Sequence, residues 1–440
     1  MKTVIMAGGK GTRISSIASD IPKPMIPIQG VPVLEREIAN LKKQGFTDII
    51  ITVGHLGNII MDYFGDGSKK SPITGESFGV NIEYFFEETP LGNAGALFRL
   101  KDKLTEDFLL LNADAIFDID FNRLVDFHKK NGGLVTLFTH PNSHPYDSGI
   151  IIANEDGTVK EWLAKEDAKP KYYKNRVNAG LHVISPKVLE VEINTPKVDL
   201  DRQILKPLAN TGKMFIYDSP EYVKDMGTPD RYYLVEDNFA NGIVEGKNLT
   251  KKQKAIFLDR DGTINEYRGF VRSTDEFELI PGVAKAIKRL NDTGFLVIVI
   301  TNQPVIARGE TTIEELNEIH NKMETLLGDE GAYLDAIYYC PHHPHKGYEG
   351  EIPELKIECE CRKPKPGLIL QAANDYNINL EESYMIGDTE NDILAGYNAG
   401  CKTILVNKEN QNYNQDFWAD SMGEAVDFIL VDRINSKKKR

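Results

Sequence analysis

Cysteine is scarce in this chain, with four in 440 residues, and three of those four fall between positions 340 and 361. No disulfide framework is spread along the sequence, and so tight a crowd is more often a metal site in a reducing compartment. Long apolar runs are missing too, none approaching the roughly 18 residues of a membrane span. The N-terminal stretch MKTVIMAGGKGTRI lacks the apolar region and small-residue cleavage site of a signal peptide. These absences predict a cytoplasmic protein without a membrane partner. Positive charge is not in excess: 52 Lys and Arg against 66 Asp and Glu leave a net charge of -14, which argues against a general nucleic-acid binder. The basic tail, residues 437 to 440, reads as a solvated end.

What is present is ordinary globular composition, 41% hydrophobic and 27% charged. The length favours two or three domains. Two segments share a design, a short apolar strand followed by a small-residue or acidic turn: KTVIMAGGKGTR at the N-terminus and KAIFLDRDGTIN from 254 to 265. Between them NGIVEGKNLTKKQK is polar, contains glycine and clusters lysine, as a linker does. The expected division is a first domain over 1–245, a linker over 246–253, a second domain over 254–433 and a basic tail over 434–440. Both halves alternate apolar strands with amphipathic stretches, as in VLEREIANLKKQG before DIIITVG and GVAKAIKRLNDTG before FLVIVITN. That alternation predicts two tandem doubly wound α/β domains with parallel sheets, their ligands at the carboxyl ends of strands.

In the first half, Gly8, Gly9 and Gly11 follow a strand directly, so bare backbone N–H groups can surround phosphate oxygens. The spacing is not that of a Walker A loop, and Ile14 stands where a dinucleotide fingerprint needs glycine. Arg13 and Lys23 add two cations soon after the loop, suited to phosphate groups. The ordered series MAGGKGTRI, PKPMIPIQGVPVLE, EETPLGNAGAL, LLLNAD, NAGLHVIS and VKDMGTPDRY resembles the signature of the sugar-1-phosphate nucleotidyltransferases over about residues 1 to 240. The resemblance implies a Rossmann-like fold and a nucleotide bound by Gly8, Gly9, Gly11, Thr12, Glu88, Pro90 and Gly92. It further implies Arg13 on the leaving pyrophosphate, Lys23 on the reacting phosphates, Asn178 and Lys165 on the sugar phosphate, and Mg²⁺ held by Asp114 and Asp225. Asn93 stands where the family commonly has threonine.

In the second half, Asp259 ends a strand and Asp261 lies two residues on, so both carboxylates are expected to face one Mg²⁺. One can act as nucleophile on phosphorus while the other handles protons. An EF-hand is excluded by the strand that precedes the pair and by the lack of a glutamate at loop position 12. FLDRDGTIN, VIVITN, CRKPKPG and MIGDTEND, in that order, resemble the four motifs of the haloacid dehalogenase superfamily over about residues 254 to 407. The resemblance implies Thr301 and Asn302 as phosphate donors, Lys363 as charge-balancing lysine, Arg362 as a substrate contact, Asp388 as a further Mg²⁺ ligand and Asp392 as its support.

Cys340, His342, Cys359 and Cys361 form a Cys₃His set able to bind a structural Zn²⁺ with no open position. His343 and His345 are expected as exposed loop residues. CPHHP and CECRKPKPG joined to DRDGTIN resemble the superfamily branch containing histidinol-phosphate phosphatase and D,D-heptose 1,7-bisphosphate phosphatase. The gap of 16 residues between His342 and Cys359, with TNQPVIARG, leans toward the heptose branch. Together the two resemblances imply consecutive steps: removal of the 7-phosphate of a heptose 1,7-bisphosphate, then transfer of the heptose 1-phosphate to GTP. Two other readings stay open at this point, as does a homo-oligomer. One pairs a mannose- or glucose-1-phosphate nucleotidyltransferase with a histidinol-phosphate-type phosphatase; the other has a catalytically dead sensing domain on an active phosphatase.

Overall fold

The structure, a computed structural model, describes residues 1–9, 17, 20–193 and 195–438, the last four without their side chains. It divides into two compact units. The first holds Met1–His140, Gly149–Ala164 and Val177–Asn248, and the second Pro141–Ser148, Lys165–Arg176 and Leu249–Arg440. Among the described residues no helix is long and apolar enough to cross a membrane.

The first unit is built on a seven-stranded sheet, in spatial order Met214–Asp218, Val135–His140, Val177–Ile184, Phe108–Asn112, Thr3–Ala7, Asp48–Val53 and Asn81–Phe86. DIIITV and FLLLN are nearly continuous apolar runs, as strands covered on both faces must be. The expectation of an all-parallel sheet fails at Val177–Ile184, which runs antiparallel to both neighbours. No α-helix precedes it: the chain from 141 to 176 makes one short 3-10 turn and a hairpin of Ile150–Ala153 with Val159–Leu163, and a parallel crossover needs a long return. Strand order reverses at Thr3–Ala7, whose neighbours continue to opposite sides of the sheet. Gly8 and Gly9 follow at that switch point, where open α/β sheets place their ligands.

The second unit holds a six-stranded, wholly parallel sheet ordered Ala336–Cys340, Leu296–Asn302, Ala255–Leu258, Tyr384–Gly387, Lys402–Val406 and Phe417–Ala419. Order reverses at Ala255–Leu258, so Asp259 stands at this sheet's own switch point. The helix Val283–Asn291 buries Val283, Ala284, Ala286, Ile287 and Leu290, the three- and four-residue spacing of one helical face.

Two short excursions, 141–148 and 165–176, join this second unit, although the contiguous division at 245–253 assigns them to the first domain. Buried polar bonds hold them there. Arg176 Nη1 donates to Glu324 Oε2 at 3.2 Å, with both side chains only 2% exposed, and Asn175 N donates to the same oxygen at 2.7 Å. The units part between Asn248 and Leu249, and residues 247–249 are buried where a solvated linker was expected.

Candidate active sites

In the first unit, Gly8, Gly9, Lys23, Glu88, Pro90, Gly92 and Asp114 line one cavity of about 1000 Å³, together with Phe86, Asn93 and Gly227. Gly92 has φ +83°, and a Cβ there would lie 2.3 Å from the Val198 carbonyl oxygen, so glycine is obligatory. Asn93 Oδ1 accepts from Leu200 N at 2.7 Å, which ties this loop to the following segment and gives the departure from threonine a structural task. Gly11, Thr12 and Arg13 lie outside the described residues.

The two acids expected to hold Mg²⁺ are brought together by strand pairing. Ala115–Asp118 runs antiparallel to Tyr222–Asp225, with Asp225 opposite Ala115, the residue after Asp114. Lys23 Nζ, on a buried side chain, stands 3.3 Å from Asp114 Oδ2. Arg231 Nη1 donates to both Asp225 oxygens at 2.7 Å. Burial acts to raise Asp225, yet Arg231 and the Gly227 N–H hold it below the usual carboxylate range. The pairing brings the two backbones together, but Asp225, its carboxylate engaged by Arg231, is not among the residues lining the cavity that Asp114 lines.

Sequence reasoning missed Arg231, which sits inside a matched motif, and Glu37. Glu37 is buried in the helix Val33–Lys43, neither of its oxygens has a hydrogen-bond partner among the described residues, and burial and the Asp114 charge push it well above the usual range. Nothing in an amphipathic helix pattern marks it. Lys165 and Asn178 are not among the residues lining the cavity. Lys165 pairs with Asp147 and belongs to an excursion of the second unit. Asn178 Oδ1 accepts from Gly180 N at 3.2 Å and faces His182 Nε2 at 3.1 Å.

In the second unit, Asp259, Asp388 and Asp392 bring carboxylate oxygens within 4.8 Å of one another. Lys363 Nζ donates to Asp259 Oδ1 at 2.6 Å and to the Ile300 carbonyl at 2.8 Å, and pairs with Asp392 Oδ1 at 2.6 Å. One ammonium among three acids leaves a deficit of positive charge. Burial and the Asp392 charge push Asp259 up to about 8 and Asp388 up to about 7. Burial works against the charge on Lys363, but Asp259 and Asp392 hold it above the ordinary lysine range. Asp388 Oδ1 is buried without a hydrogen-bond partner among the described residues. A divalent cation among these oxygens supplies the missing charge, so the residues fit Mg²⁺. Gly262, at φ +89°, lets the chain pass: a Cβ there would stand 2.2 Å from Asp388 Oδ2.

Asp261 departs from expectation, because its carboxylate is not in that cluster and Asp392 takes the third place. Other donors hold it. Arg260 donates to it from Nε at 3.1 Å and from Nη2 at 2.9 Å to each oxygen, Gln303 Nε2 donates at 2.9 Å, and Asn265 Nδ2 at 3.1 Å. Asn302 likewise works locally, its amide accepting from Lys363 N and donating to Lys363 O, both at 3.0 Å. Thr301 Oγ1 accepts from Gln303 Nε2 at 2.8 Å. Arg362 Nη1 donates to the His342 carbonyl at 3.2 Å.

Cys340, His342, Cys359 and Cys361 converge. Cys361 Sγ lies 3.1 Å from Cys359 Sγ, 3.2 Å from Cys340 Sγ and 3.2 Å from His342 Nδ1, and Cys340 Sγ lies 3.5 Å from Cys359 Sγ. All three cysteines are free, and three sulfurs and one imidazole nitrogen facing a common centre fit tetrahedral Zn²⁺. His343 is buried where exposure was expected, because its ring packs on His345 and Tyr348 with centroids 5.2 and 5.6 Å away.

The Nucleotidyl transferase family matches residues 2–242, and the HAD-hydrolase-like family matches residues 360–425. The D-glycero-beta-D-manno-heptose-1,7-bisphosphate 7-phosphatase of Yersinia pestis is 44% identical over 159 residues, 36% of this chain and 82% of that protein. The enzyme of the same name from Haemophilus ducreyi is 46% identical over 155 residues, 35% of this chain and 82% of that protein. The solved structure of HddC from Yersinia pseudotuberculosis aligns at 24% identity over 54% of this chain and 99% of that one, with a TM-score of 0.45, a likeness on which nothing further rests. The chain therefore belongs to the nucleotidyl transferase family through its first half and, through its second, to the family of HAD-like phosphatases that includes these two enzymes.

Proposed function

We propose that this chain is a bifunctional enzyme of nucleotide-activated heptose synthesis. Its second unit removes the 7-phosphate of D-glycero-D-manno-heptose 1,7-bisphosphate, and its first joins the resulting heptose 1-phosphate to GTP, giving GDP-heptose and pyrophosphate. The observation that carries this reading is the 44% identity to a heptose bisphosphate 7-phosphatase, in a chain whose other half is a nucleotidyl transferase. The phosphatase product is a sugar 1-phosphate, which is the substrate class of the other half. Guanine as the base rests on the resemblance of the motif series.

In the phosphatase, a carboxylate oxygen of Asp259 attacks phosphorus and the bond to the sugar oxygen breaks. Asp261 gives its proton to that leaving oxygen, and an aspartyl phosphate remains. Water then attacks phosphorus, its proton passes to Asp261, and inorganic phosphate and Asp259 are regenerated. Lys363, 2.6 Å from the nucleophile, balances its charge and fixes its orientation. Arg362 follows the Cys₃His cluster, is tied to the His342 carbonyl and precedes the lysine, which supports its role as a substrate contact. In the transferase, an oxygen of the sugar phosphate attacks the α-phosphorus of the nucleotide and the bond to pyrophosphate breaks. Lys23 and the glycine N–H groups hold the phosphates during that exchange. Magnesium, carried by Asp259 and Asp388 in one site and by Asp114 and Asp225 in the other, neutralises phosphate charge when bound.

The test is one incubation with Mg²⁺, GTP and the heptose bisphosphate, followed by mass spectrometry. Asp259→Asn is expected to stop phosphate release, and Asp114→Asn to stop GDP-heptose formation from heptose 1-phosphate while phosphate release continues. Phosphate release without nucleotide sugar from any nucleoside triphosphate would overturn the transferase half.

A further inference from the structure

Arg260 lies between the two aspartates of the phosphatase motif, and its side chain is completely buried. Its Nε and Nη2 are spent on Asp261, and Nη2 also donates to Gln303 Oε1 at 3.1 Å. Nη1 points away from both and donates to His320 Nε2 at 3.3 Å. A guanidinium has no lone pair to offer, so the imidazole nitrogen is the acceptor. Burial and the facing guanidinium hold His320 well below the usual histidine range, so the ring is neutral, and the Nη1 donor facing Nε2 selects the tautomer that carries its proton on Nδ1.

His320 lies 60 residues from Arg260, outside all four phosphatase motifs, on the helix Ile313–Asp329. That helix is pinned at both ends. A capping box of Thr312 and Glu315 fixes its start, while Glu324 and Thr325 near its end bind Arg176, Asn175 and Tyr173 within the same unit. His320 is therefore a fixed post against which a buried guanidinium is braced.

We propose that His320 is a positioning residue for the phosphatase: by holding Arg260 Nη1 it sets the orientation in which Arg260 presents Asp261 to the leaving oxygen. Without the imidazole acceptor, Arg260 keeps a buried, unpaired N–H and rotates to satisfy it, carrying the Asp261 carboxylate with it. The proposal rests on Asp261 being the general acid, and the experiment separates the two.

The measurement is kcat/KM, which reports aspartyl-phosphate formation, for a sugar phosphate and for 4-nitrophenyl phosphate, whose leaving group needs no proton. General acid catalysis contributes roughly 10²–10⁴-fold. Disorienting the acid is expected to lower kcat/KM on the sugar phosphate about 10-fold or more in His320→Leu, and on the aryl ester less than about 2-fold. His320→Gln keeps an acceptor and is expected to recover most of the loss. An equal loss on both substrates, no loss on either, or a glutamine variant as impaired as leucine would each overturn the proposal. Should the leucine variant fail to fold, His320→Met, which fills similar volume, carries the same comparison. Asp261→Asn is the control: full activity on the sugar phosphate would sink the acid assignment itself, whereas a dead Asp261→Asn beside a normal His320→Leu would sink only the role of His320.

Discussion

Lys363 Nζ stands 2.6 Å from Asp259 Oδ1, although 104 residues separate them in sequence. The same ammonium reaches Asp392, so one buried cation holds the proposed nucleophile Asp259 and the carboxylate of Asp392 together. Lys363→Met would leave those acids facing one another without it. Removing such an electrostatic contact is expected to cost about 10²–10³ in phosphatase kcat. Nucleotidyl transfer by the same variant, assayed with heptose 1-phosphate, should stay at the wild-type rate.

The Cys₃His cluster directly precedes Arg362 and Lys363, so its metal is expected to govern the phosphatase and spare the transferase. Purified protein should carry about one zinc per chain by elemental analysis, as a closed four-ligand site implies. Cys359→Ser should lose it, lower the thermal midpoint and depress phosphatase activity. Excess Mg²⁺ should not restore that activity, because structural zinc binding is part of the folding free energy.

The pair Arg176 and Glu324 predicts that a substitution before position 177 damages the phosphatase unit. Arg176→Met leaves the Glu324 carboxylate buried at 2% exposure without its cation, with the Asn175 N–H still donating to it. Breaking one side of such a pair costs about 3–5 kcal/mol. In urea unfolding followed by phosphatase activity, the midpoint should fall clearly below wild type. An unshifted midpoint would mean that the 165–176 excursion contributes little to this unit.

His182 gives the first unit a pH dependence. Burial holds its imidazole neutral, with a pKa of about 3, and Nδ1 has no hydrogen-bond partner among the described residues. The unfolded chain, titrating near about 6.5, takes up the proton first. The stabilising preference for the neutral form is complete above that value and is lost as pH falls toward 3, at up to about 1.4 kcal/mol per pH unit. His182→Gln should flatten the decline in the first unit's thermal midpoint between about pH 6.5 and 4, although the buried His128, whose pKa burial also lowers, will leave part of it.

Much of both sites was legible because their chemistry is local in sequence. Gly8 and Gly9 follow their strand directly, Asp259 ends another, and Cys340, His342, Cys359 and Cys361 fall within 22 residues. Each needs only a strand, a turn and a short loop to be delivered. The misplacements share a different cause. Asp261 was paired with Asp259 because two residues separate them, but a buried arginine and Gln303 draw its carboxylate away while Asp392 closes the cluster. Lys165 matched a motif position but lies on a segment packed into the other unit. The antiparallel strand Val177–Ile184 breaks the expected all-parallel sheet, because an apolar pattern says nothing of direction.

By itself the sequence determined two α/β halves, the strands at whose carboxyl ends the glycines and aspartates fall, the two reaction classes and a Cys₃His set suited to zinc. Periodicity and short motifs encode backbone geometry within a few residues, and those features need nothing more. Only the tertiary structure decided that Arg260 is braced by His320, that Asp225 is held by Arg231, and that the 165–176 excursion is locked by Glu324. Each of these joins side chains through burial or strand pairing. Their energy comes from excluding water around charges and buried donors, which no local pattern of residues records.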